Sequence, residues 1–445
     1  MRKEDNMKKV VKFGGSSLAS AEQFKKVGDI IRAEKSRRYV VPSAPGKRFS
    51  EDTKVTDMLY QCYAKAEAGK DFKEQLKAIK ARYDEIIEGL ELKLSLEDEF
   101  KVIEENFAKK AGSDYAASRG EYLNGIIMAE YLGYEFIDAA EVIFFDKNGK
   151  FDDKKTDKVL SARLETVKCA VIPGFYGAML DGTIKTFSRG GSDLTGSIVA
   201  KAAKVDMYEN WTDVSGFMIA DPRIINNPKT IEAITYKELR ELSYMGATVL
   251  HEDAIFPIRK EGIPINIRNT NAPEEPGTLI VEATCRHPKY TITGIAGKQG
   301  FASITIEKAM MNSEIGFCRR VLQVFEDNDI SIEHMPSGID TMTVFVHQSD
   351  FEEKEQKVIA GIHQAVQPDT VELESDLALI AIVGRGMKAK RGTSGRVFSA
   401  LAHAHVNVKM IDQGSSELNI VVGVRNHDFE NAIRALYDIF VTTRI

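Results

Sequence analysis

Two glycine-rich segments each place a basic side chain beside backbone amides, which is a chemistry suited to binding phosphate. The first is Lys12-Phe-Gly-Gly-Ser-Ser17, where a short apolar run ends in paired glycines. Because glycine has no Cβ, backbone N–H groups can approach phosphate oxygens, and Lys12 adds positive charge where a transferring phosphoryl group accumulates negative charge. A solvated lysine next to an ordinary Gly-rich turn is an equally good interpretation of this motif alone. It is not a Walker loop, because the pattern GxxxxGK[ST] does not occur.

The second segment is Arg189-Gly-Gly-Ser-Asp193, which precedes a run of small residues with a helical pattern. Its glycines offer amides near a helix N-terminus, and the guanidinium of Arg189 is suited to bidentate binding of a carboxylate. The alternative is a capped helix with Asp193 in its first turn. Two anion-binding turns in one domain suit a reaction with two anionic reactants, which favours the functional interpretation.

Two further motifs carry polar residues at element ends. In the segment WTDVSGFMIADPR, Thr212 and Asp213 would line a nucleotide site and Arg223 would contact its phosphates, whereas we expect Trp211 to lie in the core. The segment Ser118-Arg-Gly-Glu121 is predicted to open a helix. Glu121 could bind a substrate ammonium group, although a first-turn glutamate more often interacts with the helix dipole.

The elements that position these motifs follow from the composition and the apolar pattern. The chain has 445 residues, a net charge of -6 and 43% hydrophobic residues, which predicts two or three domains and no nucleic-acid or membrane partner. No apolar run approaches membrane length, so we expect a cytoplasmic protein. The cysteines are far apart in sequence and predict reduced thiols rather than a disulfide framework or a zinc site: Cys62, Cys169, Cys285 and Cys318.

Strand-like and helical patterns alternate up to a Pro-rich break at 271–277, which predicts an α/β domain over residues 1–290 with a largely parallel sheet. The remaining segment, 291–445, contains an internal repeat. Apolar positions around Ile304, Val321 and Ile332 recur about 76 positions later around Ile380, Val397 and Val408. This spacing predicts two copies of one β-α-β-β unit.

Taken in order, these motifs resemble those of aspartate kinases in the amino-acid kinase superfamily. The similarity covers essentially the whole chain and rests on KFGGSS, TFSRGGSD, WTDVSGFMIADPR and the segment ELSYMGATVLHEDAIFPIR at 241–259. The resemblance implies an α/β fold, with an αβα sandwich followed by two ferredoxin-like ACT domains, the second (about 377–430) inserted in the first. It also implies transfer of the γ-phosphoryl group of ATP to the β-carboxylate of L-aspartate, the first step toward lysine, threonine and methionine.

Carried over by position, the resemblance implies a role for each motif. Lys12 and Asp193 would be the catalytic residues. The substrate aspartate would contact Thr56, Glu121, Arg189 and Ser192. ATP would contact Gly14, Gly15, Ser16, Ser17, Thr212, Asp213, Met218 and Arg223. Mg²⁺ would be held mostly by phosphates and water, with no metal site built from protein ligands alone.

In this family, paired ACT domains bind an inhibitory amino acid and join subunits, so a homodimer or a dimer of dimers is expected. The implied effector pocket comprises Met311, Ser313, Glu314, Ile332, Glu333, Ser337, Ile339 and Asp340. Its three acids favour lysine over threonine as effector, unless they are simply exposed loop residues. Thr248 stands where many relatives have a lysine. Two alternatives stay open: a catalytically silent amino-acid sensor, and a kinase of another amino acid such as glutamate.

Overall fold

The computed structural model describes residues 7–188, 190–247, 257–283, 289–388 and 390–443. These residues form two compact units. The first unit contains the described residues up to Phe217, together with Glu232–Tyr236 and 257–283. The second contains Met218–Ile231, the described residues from Lys237 to 247, and those from 289 onward.

An eight-stranded sheet forms the centre of the first unit, in the order β3-β4-β2-β1-β7-β9-β10-β8. All its neighbours are parallel except β9 and β10. The strands of this unit, including the separate hairpin β5–β6, are β1 (Lys9–Phe13), β2 (Arg37–Pro42), β3 (Glu135–Phe136), β4 (Ala170–Val171), β5 (Tyr176–Ala178), β6 (Ile184–Thr186), β7 (Met207–Thr212), β8 (Ala233–Thr235), β9 (Ile265–Asn269) and β10 (Thr278–Val281). Strand β1 is buried at all five positions, as expected for a parallel strand covered on both faces.

Helices cover this sheet, and their apolar faces supply most of the core. They are α1 (Ala21–Arg32), α2 (Val55–Glu67), α3 (Lys73–Gly89), α4 (Glu97–Ala108), α5 (Ser113–Leu132), α6 (Ala139–Val142), α7 (Asp153–Glu165) and α8 (Gly191–Ala202). Helix α1 begins as its sequence predicts, because the Ser20 hydroxyl accepts a hydrogen bond from the Gln23 backbone N–H at 3.4 Å. The charged stretch that includes α3 is amphipathic, with Leu76, Ile79 and Tyr83 buried. Within the described ranges, no helix combines the length and apolar character needed to cross a bilayer.

The second unit is built on a six-stranded antiparallel sheet in the order β12-β13-β11-β14-β16-β15. Its strands are β11 (Gly294–Glu307), β12 (Ile332–His334), β13 (Thr341–His347), β14 (Thr370–Val383), β15 (Met410–Asp412) and β16 (Asn419–Arg425). Its helices are α9 (Tyr236–Tyr244, in this unit from Lys237), α10 (Phe317–Glu326), α11 (Gln348–Phe351), α12 (Glu355–Val366), α13 (Thr393–His403) and α14 (Phe429–Tyr437). The predicted repeat is present, because β11-α10-β12-β13 and β14-α13-β15-β16 follow the same order.

The two long strands connect the two copies of the repeat. Residues Phe301–Glu307 of β11 lie between β13 and the first half of β14, whereas residues Gly294–Gln299 pair only with the second half of β14. That second half pairs in turn with β16. The pairing favours a nesting opposite to the expected one, in which residues 294–299 complete the second copy and the first copy interrupts it.

Candidate active site

Lys12 lies on β1 and contacts the second glycine-rich segment directly. Its Nζ is 2.6 Å from Oδ1 of Asp193, in the first turn of α8, and both side chains are largely buried. The carboxyl end of a central strand and the N-terminus of α8 therefore meet at one point. In a parallel α/β sheet, this is the edge at which ligands bind. The structure thus brings together the two segments that the sequence singles out.

Asn210 holds the Asp193 carboxylate from the neighbouring strand. Its Nδ2 donates to the same Oδ1 at 2.8 Å, and Asn210 is the register partner of Lys12 where β7 runs beside β1. The Tyr208 hydroxyl donates to the Asp193 backbone carbonyl at 3.2 Å. Sequence reasoning missed Asn210. The available signal was a polar side chain at a buried position of a strand.

The Gly14-Gly15 turn packs tightly against the loop that follows β2. The Gly46 N–H donates to the Gly15 carbonyl at 2.8 Å, and a Cβ on Gly15 would lie only 2.9 Å from the Ala44 carbonyl oxygen. The two serines of the motif differ, because Ser16 is exposed whereas Ser17 is buried. The Ser17 hydroxyl is hydrogen-bonded to Thr270 at 2.8 Å. Only the Ser16 hydroxyl is therefore available to a phosphate, and Ser17 supports the turn.

Glu121 lies in the middle of α5 and not in a first turn, so the predicted helix start at Ser118 is wrong. Burial raises the pKa of the Glu121 carboxyl to about 8, although the Ala44 backbone N–H and the nearby charge of Lys12 act in the opposite direction. Its Oε2 is buried, with no hydrogen-bond partner among the residues that the structure describes. A buried acid with an unsatisfied oxygen near Lys12 is suited to a cationic ligand group.

The other predicted aspartate contacts lie on elements that adjoin these residues. Thr56 is in the first turn of α2, and a Cβ on Gly120 would lie 3.7 Å from its Oγ1. Ser192 packs against Gly174, where a Cβ would lie 2.6 Å from the serine Oγ. Arg189 is outside the described residues. The residue after it, Gly190, has φ of +55°, a left-handed conformation that favours glycine.

The predicted nucleotide contacts divide between the two units. Thr212 and Asp213 lie at the carboxyl end of β7 in the first unit, where the Thr212 hydroxyl donates to Asp213 at 3.2 Å. Met218 and Arg223 belong to the second unit. The Arg223 side chain is 87% exposed and pairs with Asp221 at 2.6 Å, as the Asp-Pro turn predicts.

Trp211 is a core residue, as expected, and takes part in a buried charge network. Its Nε1 donates to Glu209 at 2.9 Å, and Glu209 also binds Arg37 and Lys9 at 2.8 Å and 2.9 Å. These contacts join the start of β1, β2 and β7. The network fixes the strands that carry Lys12 and Asn210.

Comparison with known proteins agrees with this geometry. Residues 7–269 match the amino acid kinase family, and residues 380–440 match an ACT domain family. Aspartokinase 3 of Bacillus subtilis is 40% identical, over 97% of this chain and 98% of its own length. The chain belongs to the aspartate kinase family. It is thus an enzyme of the ATP:L-aspartate 4-phosphotransferase class, with a C-terminal ACT region.

Solved aspartate kinases have the same fold. The structure of the Clostridium acetobutylicum enzyme matches 97% of this chain and 100% of its own, with a TM-score of 0.91 and 52% identity. Escherichia coli aspartokinase III, solved in complex with aspartate and ADP, matches 97% of this chain and 99% of its own. At 24% identity and a TM-score of 0.71, that likeness supports the fold alone.

Within the ACT region, the two segments of the predicted effector pocket are adjacent. The Asn312 N–H donates to the Ile339 carbonyl at 3.2 Å, and the Lys308 N–H donates to the Asp340 carbonyl at 2.9 Å. Met311 is buried, whereas Ile339 is 71% exposed. The Glu314 carboxylate already pairs with Lys308 at 2.6 Å and with Arg320.

The remaining predicted effector residues, apart from Ser313, lie on or after β12. Glu333 accepts a hydrogen bond from the Tyr244 hydroxyl at 2.6 Å, and its other oxygen is 3.5 Å from His347 Nε2. Ile332 is half-buried on the same strand, Ser313 ends a short 3-10 turn, and Ser337 bridges to Met342. Asp340 is therefore better placed than either glutamate to accept a new cation, because Glu314 already pairs with two cations and the Glu333 side chain is only 7% exposed.

Proposed function

We propose that this aspartate kinase transfers the γ-phosphoryl group of ATP to the β-carboxylate of L-aspartate, giving 4-phospho-L-aspartate, with Lys12 as the charge-neutralising residue. The contact between Lys12 and Asp193 at 2.6 Å carries the proposal, because it joins the two glycine-rich segments at one point. The reaction supplies the first intermediate for lysine, threonine and methionine.

No general base is needed for this reaction. The β-carboxylate of aspartate is already ionised at neutral pH, so catalysis consists of positioning and charge neutralisation. Lys12 would offset the negative charge on the phosphoryl group in transfer, while amides of Gly14, Gly15 and Ser16 bind phosphate oxygens. Asp193 and Asn210 would fix the direction of the ammonium group of Lys12.

Glu121 would bind the α-ammonium of aspartate. Its buried position and its oxygen without a hydrogen-bond partner among the described residues favour a cationic ligand group, because an ammonium group would supply both a hydrogen-bond donor and a compensating charge. Arg189 would bind the α-carboxylate, with Thr56 and Ser192 completing the substrate contacts. Asp193 would then be a positioning residue for Lys12.

ATP would contact Thr212 and Asp213 at the carboxyl end of β7. Mg²⁺ would accompany the nucleotide. In the described part of the chain, no cluster of three or more Asp, Glu, His or Cys side chains is arranged to hold a metal ion. Mg²⁺ prefers octahedral oxygen ligands and keeps several waters, so phosphate oxygens and water would supply most of its coordination.

We also propose feedback inhibition by lysine and assembly of subunits through the ACT region. The lysine ammonium would pair with Asp340. Exposed large apolar side chains in the effector-pocket segments support assembly. In the single chain, Ile315 is 96% exposed, Ile339 is 71% exposed and Met310 is 68% exposed. Such side chains at one location favour a protein interface.

A hydroxamate assay tests the reaction. The protein is incubated with ATP, Mg²⁺ and hydroxylamine, which traps an acyl phosphate as a coloured hydroxamate. Colour with aspartate and none with glutamate is expected. Colour with glutamate alone would identify another amino-acid kinase, and silence with every acceptor would identify a sensor. Millimolar lysine should lower the aspartate rate, and an unchanged rate and unfolding midpoint would reject lysine as the effector.

A further inference from the structure

A large basic cavity lies within the second unit and includes none of the residues assigned above. Its volume is about 990 Å³, and it lies between the segment after β14, the C-terminal residues after α14 and the segment 289–291. Six cationic side chains line it: Lys229, Lys289, Arg385, Lys388, Lys390 and Arg396. No lining residue in the described ranges is acidic.

Only one of these cations is neutralised by an ion pair among the described residues. Arg385 Nη1 is 2.8 Å from the buried carboxylate of Glu238. Lys390 donates to the Thr291 hydroxyl at 2.7 Å, and Arg396 donates to the Ile439 carbonyl, so both bind neutral acceptors. Lys229, Lys289 and Lys388 line the cavity and are exposed. Like charges at one cavity repel one another, and an anion in the cavity removes that repulsion.

Arg396 adds a second observation. It lies on α13, its guanidinium stacks 4.6 Å above the Phe440 ring, and its Nε is buried without a hydrogen-bond partner among the described residues. A buried guanidinium nitrogen without an acceptor has a desolvation cost that a ligand oxygen would remove. Arginine also presents the fork geometry that binds phosphate oxygens in pairs.

We propose that this cavity binds a small polyanion carrying a chain of phosphoryl groups, either free polyphosphate or the triphosphate of a nucleotide. Several closely spaced negative charges are needed to match five cations without an ion-pair partner among the described residues, and a triphosphate supplies them within one molecule. The volume falls within the range of small-molecule sites and accommodates a nucleotide. The hydroxyl groups of Thr291, Thr442 and Thr443 at the lining offer further phosphate contacts.

Lysine acylation of the full chain tests this site separately from the catalytic one. The protein is mixed with inorganic triphosphate, or with ATP, without divalent cation, and is then treated briefly with an acetylating reagent. Mass spectrometry measures each lysine. We expect selective protection of Lys229 and Lys388, with Lys237 and Lys357 as exposed controls in the same unit that do not line the cavity. Protection by either anion alone, or by both, supports the site. It also shows whether the cavity binds free polyphosphate, the triphosphate of a nucleotide, or both.

A variant pair provides the affinity test. Lys229→Ala/Lys388→Ala should bind inorganic triphosphate about a hundredfold more weakly by calorimetry, because each charge-assisted hydrogen bond to the anion accounts for about tenfold in affinity. The matched control, Lys237→Ala/Lys357→Ala, should bind as the unmodified protein does. All four lysines are exposed, so both variants should keep the unfolding midpoint. Equal binding by both variants, or equal protection of cavity and control lysines, overturns the proposal and leaves only non-specific counterion attraction.

Discussion

Replacing Glu121 by glutamine tests the buried acid on which aspartate binding is proposed to depend. Burial raises the pKa of this carboxyl from 4.5 to about 8. At 1.36 kcal/mol for each unit, the ionised carboxylate destabilises the ligand-free protein by on the order of 5 kcal/mol. Glutamine has nearly the same shape and stays neutral, so Glu121→Gln removes this penalty at high pH.

The direction in which pH changes the free energy of unfolding follows from proton binding by Glu121. The folded pKa is raised, so the protonated carboxyl contributes stability that is complete below pH 4.5 and is lost as pH rises to about 8. The variant has no such loss. Between pH 6 and pH 8, its free energy of unfolding should therefore rise by roughly 2 to 3 kcal/mol relative to the unmodified protein.

The fluorescence of Trp211 reports the free energy of unfolding of the first unit. It is the only tryptophan of the chain and is fully buried there, so its fluorescence in a urea titration follows the unfolding of that unit. A difference between variant and unmodified protein that stays flat from pH 6 to pH 8 would refute the buried, protonated state of Glu121.

Aspartate binding supplies the second half of this test. An ammonium ligand favours the ionised carboxylate, so aspartate should release nearly one proton from Glu121 at pH 7. Calorimetry in buffers of different ionisation enthalpy measures the number of protons released, because the buffer takes them up and adds its own heat to the heat of binding. Glu121→Gln should release none and bind aspartate at least about tenfold more weakly. Buffer-independent heats with the unmodified protein would place the ammonium elsewhere.

Four other predictions concern single contacts. Lys12→Ala should lower kcat by on the order of 10³ in the hydroxamate assay and leave the KM for aspartate nearly unchanged, and a change in KM alone would point to another lysine. Asn210→Ala should lower kcat by about tenfold without changing that KM, because it frees the Asp193 carboxylate that directs Lys12, and a KM effect instead would indicate a substrate contact. Gly15→Ala should raise the KM for ATP, because its Cβ would meet the Ala44 carbonyl at 2.9 Å, whereas the control Gly395→Ala meets nothing within 4 Å and should change nothing. Asp340→Asn should weaken lysine inhibition by about tenfold at constant kcat, and unchanged inhibition would move the effector ammonium to another acid.

The sequence predicted the principal elements of the site because its chemistry depends on local motifs. Lys12 and Asp193 each lie beside paired glycines, and a strand end and a helix start are the positions at which such motifs act. The contact partner of Asp193 was not predictable in this way. Asn210 reaches it through the register of β7 beside β1, which is a long-range pairing that no local pattern specifies.

The helix that carries Glu121 begins earlier than its local sequence predicts. Ser118 resembles a helix cap in sequence, but its hydroxyl donates to the Tyr115 carbonyl at 2.7 Å inside α5, which begins at Ser113. Packing of α5 against the core extended the helix by more than a turn and buried the acid.

The ACT region also depends on a long-range contact that no local pattern specifies. Apolar spacing predicted two copies of the repeat, whereas the pairing of β11 with β14 determines which strand completes each copy.

A structure with aspartate and ADP bound tests the proposed chemistry most directly. Lys12 Nζ should lie within about 3.2 Å of a phosphate oxygen while it keeps its contact with Asp193, and the aspartate ammonium should lie at the same range from Glu121. The β-carboxylate should then point toward the terminal phosphate. A complex in which Lys12 contacts neither ligand, or in which Glu121 stays without a partner, would contradict the assignment of both residues.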